Sequence, residues 1–386
     1  MVRISDILKQ RGDFPEPEPP GKKKKEESTP TLSSEQPAKE QPPEYTKKEE
    51  TRATEGVHIS NAITGGGAEA EKEMQVVRAI HHIQLDPEES KRIYQRAREI
   101  IKEILDKRES ETTPPDLKEA YEIVKVIVDR IVLGDKELIA LTVGYSEDNY
   151  LYAHLVNVCI LSIDIGLGLS YNKSRLNELG VGAFLHDIGM TKVMDIAQQP
   201  RRLNEHEFEE IKKHPIYGSD MLSMVENIQE GVICVAKQEH ERINGTGYPE
   251  GLKDDQIHEY AKIVAIIDVY EALVHPRSYR DAISPHEAIK ELLNMNTAML
   301  FKTRILKVLI DRIGLYPVGC WVELNTGEIG KVISSNEDSP LRPKVNIIFS
   351  REKEKLPQIG LMDLSRHTNV YIKRSINPQE SDLKFE

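Results

Sequence analysis

The chain has 386 residues and a formal net charge of −12 at neutral pH, which leaves room for roughly two or three domains. Hydrophobic residues make up 39% of it and charged residues 30%, so the chain as a whole is too polar to be one uniform globule. No run approaches the ~18 consecutive apolar residues of a membrane span, and the acidic balance argues against non-specific binding to nucleic acid. The three cysteines are far apart, which argues against a disulfide framework and predicts a cytoplasmic protein.

Residues 1–75 differ in composition from the rest. Eight of the 21 prolines lie in the first 50 residues, among charged and small polar residues, and large apolar residues are scarce. Such a segment cannot bury enough apolar surface to offset the entropy lost on ordering. We therefore predict a disordered tail over 1–75 that opens with a short amphipathic N-terminal peptide.

The next two stretches, 76–142 and 143–316, have helical patterns. The first contains one helix face of regularly spaced apolar residues: Ile93, Ala97, Ile100, Ile104 and Leu105. In the second, the segments 149–169 and 261–274 are apolar on most sides, as the central helices of a bundle are. We therefore predict a helical N-terminal region followed by a helical bundle.

The pattern changes at Pro317. Residues 321–324 and 345–349 have the short alternating or β-branched runs that are typical of strands, and an Asn-Thr-Gly turn follows the first of them. Residues 317–376 are therefore predicted to form a small β appendage. The predicted fold class is mainly α, with a helical bundle, a small C-terminal β appendage and a disordered N-terminal tail.

Seven histidine and acidic residues stand out in the bundle: His154, His186, Asp187, His214, Glu239, His240 and Asp268. A charged carboxylate in an apolar helix is costly unless it is paired or binds a metal, and Asp187 and Asp268 both have apolar surroundings. Imidazole and carboxylate together suit Mn²⁺, Fe²⁺ and Zn²⁺. So many ligands suit two ions, which can hold a hydroxide and clamp both oxygens of a phosphoryl displacement.

A glycine-rich loop adds candidate nucleotide-binding residues. Gly247 lets the backbone approach a ligand closely, Tyr248 offers a flat face for a base, and Arg242 has a planar fork suited to phosphate. Downstream, Arg277 and Arg280 are placed to meet phosphate oxygens. Because the acidic chain repels a dianionic substrate at long range, such a substrate needs a local cluster of cations.

These motifs, in this order, resemble those of the HD-GYP family, bacterial HD-superfamily phosphodiesterases that act on cyclic di-GMP. The resemblance covers about residues 130–316 and rests on His186-Asp187, on His214-Pro215 and on the segments 239–249 and 268–273. It implies an HD-superfamily helical bundle, and the β appendage also resembles a C-terminal extension of that family.

The resemblance implies two metal ions that share Asp187, with iron or manganese as the expected ions. The first ion would be held by His154, His186, Asp187 and Asp268, and the second by Asp187, His214, Glu239 and His240. Gly247 and Tyr248 would line the nucleotide pocket, and Arg277 and Arg280 would contact phosphate. Some members bind a third ion through a Glu one turn before the first His, but this chain has Tyr150 there.

One departure from the family concerns the phosphate. Many members carry a lysine directly after the His-Asp-Ile-Gly motif, whereas this chain has Met190. Lys192 follows two residues later and is the candidate catalytic cation beside Asp187, although on a helix it would lie about 200° further around the axis. This departure leaves room for altered specificity or a binding-only role.

We therefore predict a cyclic di-GMP phosphodiesterase that forms pGpG, GMP or both through a metal-bridging hydroxide. Two alternatives stay open: a catalytically weak or inactive effector that binds a cyclic dinucleotide or a partner, and a phosphodiesterase for mixed cyclic GMP-AMP. The expected partners are cyclic di-GMP and a diguanylate cyclase or other signalling protein, with no nucleic acid and no membrane. The oligomeric state stays open, and the other histidines, His275 among them, are predicted to be exposed and unrelated to the site.

Overall fold

The computed structural model describes residues 85–106, 114–142, 150–199, 201, 203–275, 282–336 and 339–376. Within these residues a helical bundle is followed by a small antiparallel sheet, so the predicted fold class, mainly α with a C-terminal β appendage, is confirmed. The predicted disordered tail and its N-terminal peptide lie outside the described residues.

The described α-helices are α1 (Pro87–Asp106), α2 (Lys118–Val132), α3 (Lys136–Leu141), α4 (Tyr150–Gly168), α5 (Lys173–Leu185), α6 (Met194–Ala197), α7 (Glu205–Ile211), α8 (His214–Ser223), α9 (Glu230–Gln238), α10 (Glu259–Val274), α11 (Pro285–Asn296) and α12 (Thr303–Ile313). Two short 3₁₀ turns lie at Ile188–Lys192 and Asp254–Gln256. The strands are β1 (Trp321–Leu324), β2 (Ile329–Ser334), β3 (Lys344–Phe349), β4 (Lys355–Asp363) and β5 (Ile372–Ile376).

Helix α1 buries the face that the sequence predicts, with one shift. Ile93, Ala97 and Ile100 are buried, but Ile101 is also completely buried and the predicted Ile104 is only half-buried. The reason is that α1 packs against both α2 and α4, which requires a wider apolar stripe than a single contact does.

Helix α4 lies in the middle of the bundle, where it packs against α1, α2, α5, α10 and α12. Every residue from Ala153 to Gly166 is buried. Among the described helices, α4 is long and apolar enough to pass a length-and-composition test for a membrane span, yet 78% of its apolar window is buried inside the protein. Its neighbour α10 is almost as completely buried. Polar side chains on these two helices are therefore held deep in the fold.

The C-terminal sheet has the strand order β4-β3-β2-β1-β5, and all of its neighbours are antiparallel. Alternate residues of the inner strands, such as Val322, Val332 and Val345, form its core. The strand-like runs at 321–324 and 345–349 match β1 and β3, but the sequence pattern misses β4 and β5. Strand β4 escapes prediction because it contains Pro357 and Gly360, which are depleted in strands.

Strand β4 is an edge strand, since it pairs with β3 only. Its pairing is irregular near Pro357: Ile347 pairs with Gly360 and Phe349 with Lys355, so four residues of β4 lie opposite one of β3. Ile359 is 57% exposed. The sheet therefore has one irregular, partly apolar edge.

Candidate metal centre

His186 and Asp187 lie where α5 ends and the first 3₁₀ turn begins. The His186 ring donates from Nδ1 to the carbonyl of Ala183 at 2.7 Å, which satisfies one of the carbonyls left open at the end of a helix. Both side chains are almost completely buried. With Nδ1 donating, the Nε2 lone pair of His186 is free to face the site interior.

His214 begins α8, with Pro215 in the first turn, where a proline costs no hydrogen bond. Its Nδ1 donates to the carbonyl of Ile211 at 2.7 Å, and its Nε2 lies 3.3 Å from Oδ1 of Asp187. Gly189 makes this approach possible, because a Cβ at that position would lie 2.0 Å from the His214 carbonyl oxygen. The glycine of the His-Asp-Ile-Gly motif is thus required by the packing of α8 on the 3₁₀ turn.

Glu239 and His240 come directly after α9. Nε2 of His240 lies 3.0 Å from Nε2 of His214, and Oε1 of Glu239 lies 3.5 Å from the same His214 atom. All three side chains are buried. The end of α9 and the start of α8 therefore point their polar groups at one place.

The two central helices supply the remaining donors. His154 on α4 and Asp268 on α10 are buried, and Nε2 of His154 lies 3.4 Å from Oδ1 of Asp268. The same His154 atom lies 3.4 Å from Nε2 of His186 and 4.0 Å from Oδ2 of Asp187. The structure thus brings all seven sequence-predicted ligands into one buried cluster.

Within this cluster two groups have donor atoms that all lie within 4.8 Å of one another. The first ligand group is His154, His186 and Asp187, and the second ligand group is Asp187, His214, Glu239 and His240. Asp187 belongs to both groups. A shared carboxylate between two sets of imidazole and carboxylate donors is the arrangement that a pair of divalent ions requires.

Two observations show that these residues fit metal ions. Both oxygens of Glu239 are buried and make no hydrogen bond, which is costly for a carboxylate without a cation. In the first ligand group, the Nε2 atoms of His154 and His186 face each other at 3.4 Å. Each ring has its Nδ1 directed at a protein oxygen, so both Nε2 atoms present lone pairs to each other. A cation bound between them removes the repulsion between these lone pairs.

The electrostatics of the second ligand group indicate where protons lie without metal. Burial disfavours a charge on His214, but the neighbouring carboxylates of Asp187 and Glu239 outweigh it and raise the His214 pKa to about 10. Burial lowers the pKa of His240 and raises that of Glu239 to about 7. A proton on His214 therefore takes the place of a cation in the metal-free protein.

The glycine-rich loop packs directly against the second ligand group. The ring of Tyr248 lies 4.8 Å from the ring of His240. Gly247 has no room for a side chain, since a Cβ would lie 2.4 Å from the Arg242 backbone nitrogen. Buried Glu241 accepts hydrogen bonds from the backbone nitrogens of Glu250 (2.7 Å) and Leu252, and so closes the loop. Half-buried Tyr248 is thereby held against the cluster of predicted metal ligands.

Of the other predicted catalytic and substrate-binding residues, the structure describes Arg242 and Lys192. Arg242 is buried, and its Nη1 donates to the carbonyls of Glu239 and Glu241, while its Nε and Nη2 make no hydrogen bond. Lys192 ends the 3₁₀ turn and is exposed. Arg277 and Arg280 lie outside the described residues.

Met190, which replaces the family lysine, is 2% exposed and packs with Val193, Ala197 and Ile211. A lysine that the sequence analysis did not select lies near the loop. Lys212 has its Nζ 5.8 Å from the ring centroid of Tyr248 and pairs with Glu209.

Glu271 is the main residue of the site that the sequence reasoning missed. It is completely buried on α10, and its Oε2 contacts Nδ1 of His154 and accepts a hydrogen bond from Tyr150 at 2.7 Å. The prediction that His275 is exposed is wrong: it is 4% exposed, and its Nδ1 lies 3.2 Å from Glu271. The signal for Glu271 was its position one helical turn after Asp268, which puts both on the same face.

Comparison with protein families supports this reading of the geometry. Residues 145–303 match the family described as HD domain, and residues 321–384 match a KOW domain associated with HD domain. The first match contains all seven residues of the cluster and the glycine-rich loop. The second contains the C-terminal sheet.

Two curated relatives have related sequences. The cyclic di-GMP phosphodiesterase PA4108 of Pseudomonas aeruginosa is 34% identical over 253 residues, covering 65% of this chain and 60% of that protein. The cyclic di-GMP phosphodiesterase PdeB of Borreliella burgdorferi is 30% identical over 238 residues, covering 61% of this chain and 62% of that protein. The chain therefore spans only about 60% of the length of these relatives.

A solved structure has a similar fold. Bd1817, an HDG"Y"P protein from Bdellovibrio bacteriovorus, superposes with a TM-score of 0.50 at 20% identity, over 64% of this chain and 80% of that one. At this identity the similarity concerns the fold alone.

Proposed function

Because the chain belongs to the HD-GYP family, we propose that it is a two-metal phosphodiesterase that hydrolyses cyclic di-GMP to pGpG, GMP or both. The observation that carries the proposal is the shared position of Asp187 between two buried ligand groups, directly beside Tyr248 and its glycine-rich loop. The two curated relatives named as cyclic di-GMP phosphodiesterases support the substrate.

The first ligand group with Asp268 would hold one ion, and the second ligand group would hold the other. When bound, such ions supply Lewis acidity and lower the pKa of a water molecule enough to make it a nucleophile at neutral pH. A donor set of imidazoles and carboxylates without a thiolate supports iron or manganese.

The protein's own residues contribute positioning, a stacking surface and a positive charge. His186 and His214 are held by backbone carbonyls, so their Nε2 atoms stay aimed at the cluster. Tyr248 presents a ring on which a guanine base can stack. Lys212 beside that ring offers a positive charge for a phosphate, which matters because the chain as a whole carries a net charge of −12.

A second candidate function, nucleotide binding without hydrolysis, is favoured by one observation. Met190 is enclosed in an apolar cluster, so the described residues provide no cation at the position where many family members place a lysine. If Lys212, Arg277 or Arg280 does not compensate, the protein would bind a cyclic dinucleotide as an effector.

The test is product analysis with metal-loaded protein. Full-length protein purified without oxygen and loaded with Mn²⁺ or Fe²⁺ should convert cyclic di-GMP, and Asp187→Ala should abolish turnover. The matched control is Asp220→Ala, which removes an exposed carboxylate from α8. Tight binding with an intact nucleotide would select the effector reading, and preferential cleavage of cyclic GMP-AMP in competition would change the substrate.

The proposal extends to the cellular setting, a bacterial cytoplasm. All three cysteines are unpaired, as they are in proteins of reducing compartments. The loop that carries Tyr248 has an exposed tip at Thr246, which leaves a surface for a diguanylate cyclase or another signalling protein. Co-purification with wild-type protein but not with a Thr246→Arg variant would support such a partner.

A further inference from the structure

Helix α1 lies outside the HD domain match, yet one of its side chains leads into the metal centre. The hydroxyl of Tyr94 donates to Oδ1 of Asn157 at 2.8 Å, across 63 residues of sequence. Asn157 is 1% exposed and lies on α4, one helical turn after His154. The contact therefore reaches the helix that supplies a predicted metal ligand.

The next link runs from α4 to α10. Nδ2 of Asn157 donates to Oε1 of Glu271 at 3.1 Å. Because an ionised carboxylate only accepts, the amide must turn its NH₂ group to Glu271 and its oxygen to Tyr94. The orientation of Asn157 is thus fixed by its two neighbours. The hydrogen bonds therefore run in one direction, from Tyr94 through Asn157 to Glu271.

The last link fixes the ligand itself. Oε2 of Glu271 contacts Nδ1 of His154, and the hydroxyl of Tyr150 donates to the same oxygen at 2.7 Å. A carboxylate at Nδ1 selects the tautomer that carries its proton there, and it holds the ring in place. Nε2 of His154 then presents its lone pair beside Asp268, 3.4 Å away.

We propose that Tyr94, Asn157 and Glu271 form a positioning chain for His154, so that helix α1 takes part in metal binding. The inference rests on the proposed function only in assigning His154 to a metal. Its rival is a polar network that merely joins α1, α4 and α10. Against that rival, Asn157 and Glu271 lie on helices whose buried residues are mostly apolar, and buried polar groups add little stability compared with apolar packing.

Metal affinity distinguishes the positioning chain from a purely structural network, and it can be measured without nucleotide. In full-length protein, Mn²⁺ dissociation constants are obtained by competition with a chromophoric chelator. Glu271→Gln should weaken the first ion about 10- to 100-fold, as loss of a partner behind a ligand typically does. Tyr94→Phe, two hydrogen bonds further away, should weaken it about 2- to 5-fold.

The matched control is Tyr121→Phe. Tyr121 lies on α2 of the same N-terminal region, and its hydroxyl donates to Gln229 at 2.6 Å, away from the positioning chain. The control loses the same atom and a hydrogen bond of the same kind, so it should keep the wild-type Mn²⁺ affinity. If Tyr121→Phe and Tyr94→Phe reduce affinity equally, the effect is general destabilisation and the proposal fails.

A double variant tests whether the residues act in series. Once Glu271→Gln has broken the chain, adding Tyr94→Phe should change Mn²⁺ affinity no further, because residues in one network are non-additive. Independent effects, or variants that lower the melting temperature at unchanged Mn²⁺ affinity, overturn the inference. If Glu271→Gln does not fold, Tyr94→Phe against Tyr121→Phe still decides.

The outcome is separable from that of the proposed function. Wild-type protein that binds Mn²⁺ but leaves cyclic di-GMP intact would overturn the enzyme, while the affinity series still tests the chain. Conversely, active wild-type protein with an unaffected Tyr94→Phe variant would overturn the positioning chain alone.

Discussion

The two ligand groups of the metal centre differ in how firmly the protein holds them. In the first ligand group, the rings of His154 and His186 each have Nδ1 against a protein oxygen. In the second ligand group, His214 is held in this way, but Nδ1 of His240 and both oxygens of Glu239 are buried without a hydrogen bond.

The difference indicates that the first ligand group is organised by the fold, whereas the second is completed by its ion. Polar groups that have hydrogen-bond partners need little rearrangement to bind metal, while the buried carboxylate of Glu239, which makes no hydrogen bond, gains a direct contact when an ion binds. We therefore expect the first ion to bind more tightly and the two ions to load in sequence.

The largest effect is expected for Asp187→Asn, because Asp187 belongs to both ligand groups. The variant should lose both ions and at least about 10³-fold in kcat/KM, since no bridging carboxylate remains. Metal analysis and turnover measure the two losses. Retention of two ions at wild-type affinity would contradict the shared role.

Glu239→Gln should separate the two ligand groups. An amide cannot replace the charge, so the second ion should bind about 10- to 100-fold more weakly while the first is retained. Metal analysis should then give close to one equivalent per chain. Glu230→Gln, at the exposed start of the same helix, is the control, and equal loss of both ions would contradict the comparison.

The affinity of the second ion should depend on pH. Without metal, the His214 pKa of about 10 keeps that ring protonated at neutral pH, and an ion must displace the proton. Second-ion affinity should therefore rise by up to about tenfold per pH unit between pH 7 and 9, as measured by Mn²⁺ titration. A flat profile would show that His214 is not a ligand.

The same raised pKa has the opposite effect on the stability of the metal-free protein, which should fall as the pH rises. Since the His214 pKa is raised from 6.5, its contribution to stability is fully present below about pH 6.5 and is lost as the pH rises through about 10. Metal-free protein should lose melting temperature over that range, and metal-loaded protein should lose less.

A smaller effect is expected from Gly247→Ala. The added Cβ would lie 2.4 Å from backbone atoms of Glu241 and Arg242, so the loop must shift and Tyr248 with it. We expect KM for cyclic di-GMP to rise about 3- to 10-fold, the equivalent of a modest overpacking cost. Affinity for the first ion should not change, because the loop contacts the second ligand group.

Gly360→Ala is the matched control, since no atom lies closer than 4.0 Å to its added Cβ and it is in the C-terminal sheet. Unchanged kinetics are expected there. Equal kinetic loss in both variants would remove the argument from the loop.

The helices were predictable from sequence because their apolar spacing is regular and long. The sheet was harder, because β4 interrupts its pattern with Pro357 and a bulge, and β5 is only five residues long. Edge strands need little alternation, since their outer surface is open to solvent. The hydrophobic pattern of the sequence therefore predicts strands poorly where a strand is short or mostly exposed.

For the site, the predicted metal ligands could be identified from sequence, but the residues that hydrogen-bond to these ligands could not. A histidine or aspartate within an apolar helix is conspicuous, and His154, Asp187 and Asp268 do meet. Glu271 and Tyr94 could not be assigned because their roles depend on contacts 117 and 63 residues away along the chain. His275 was misplaced for a related reason, since it follows a helix end that is itself buried.

The irregular edge of the sheet has a consequence for self-association. A regular edge strand presents a continuous row of amides and carbonyls that can template addition of another chain. In β4, Pro357 has no amide proton to give, and the bulge breaks the remaining row into short pieces. Ile359 and Leu361 are therefore exposed on this edge, but the edge does not offer a row of backbone hydrogen-bonding groups long enough for fibre growth.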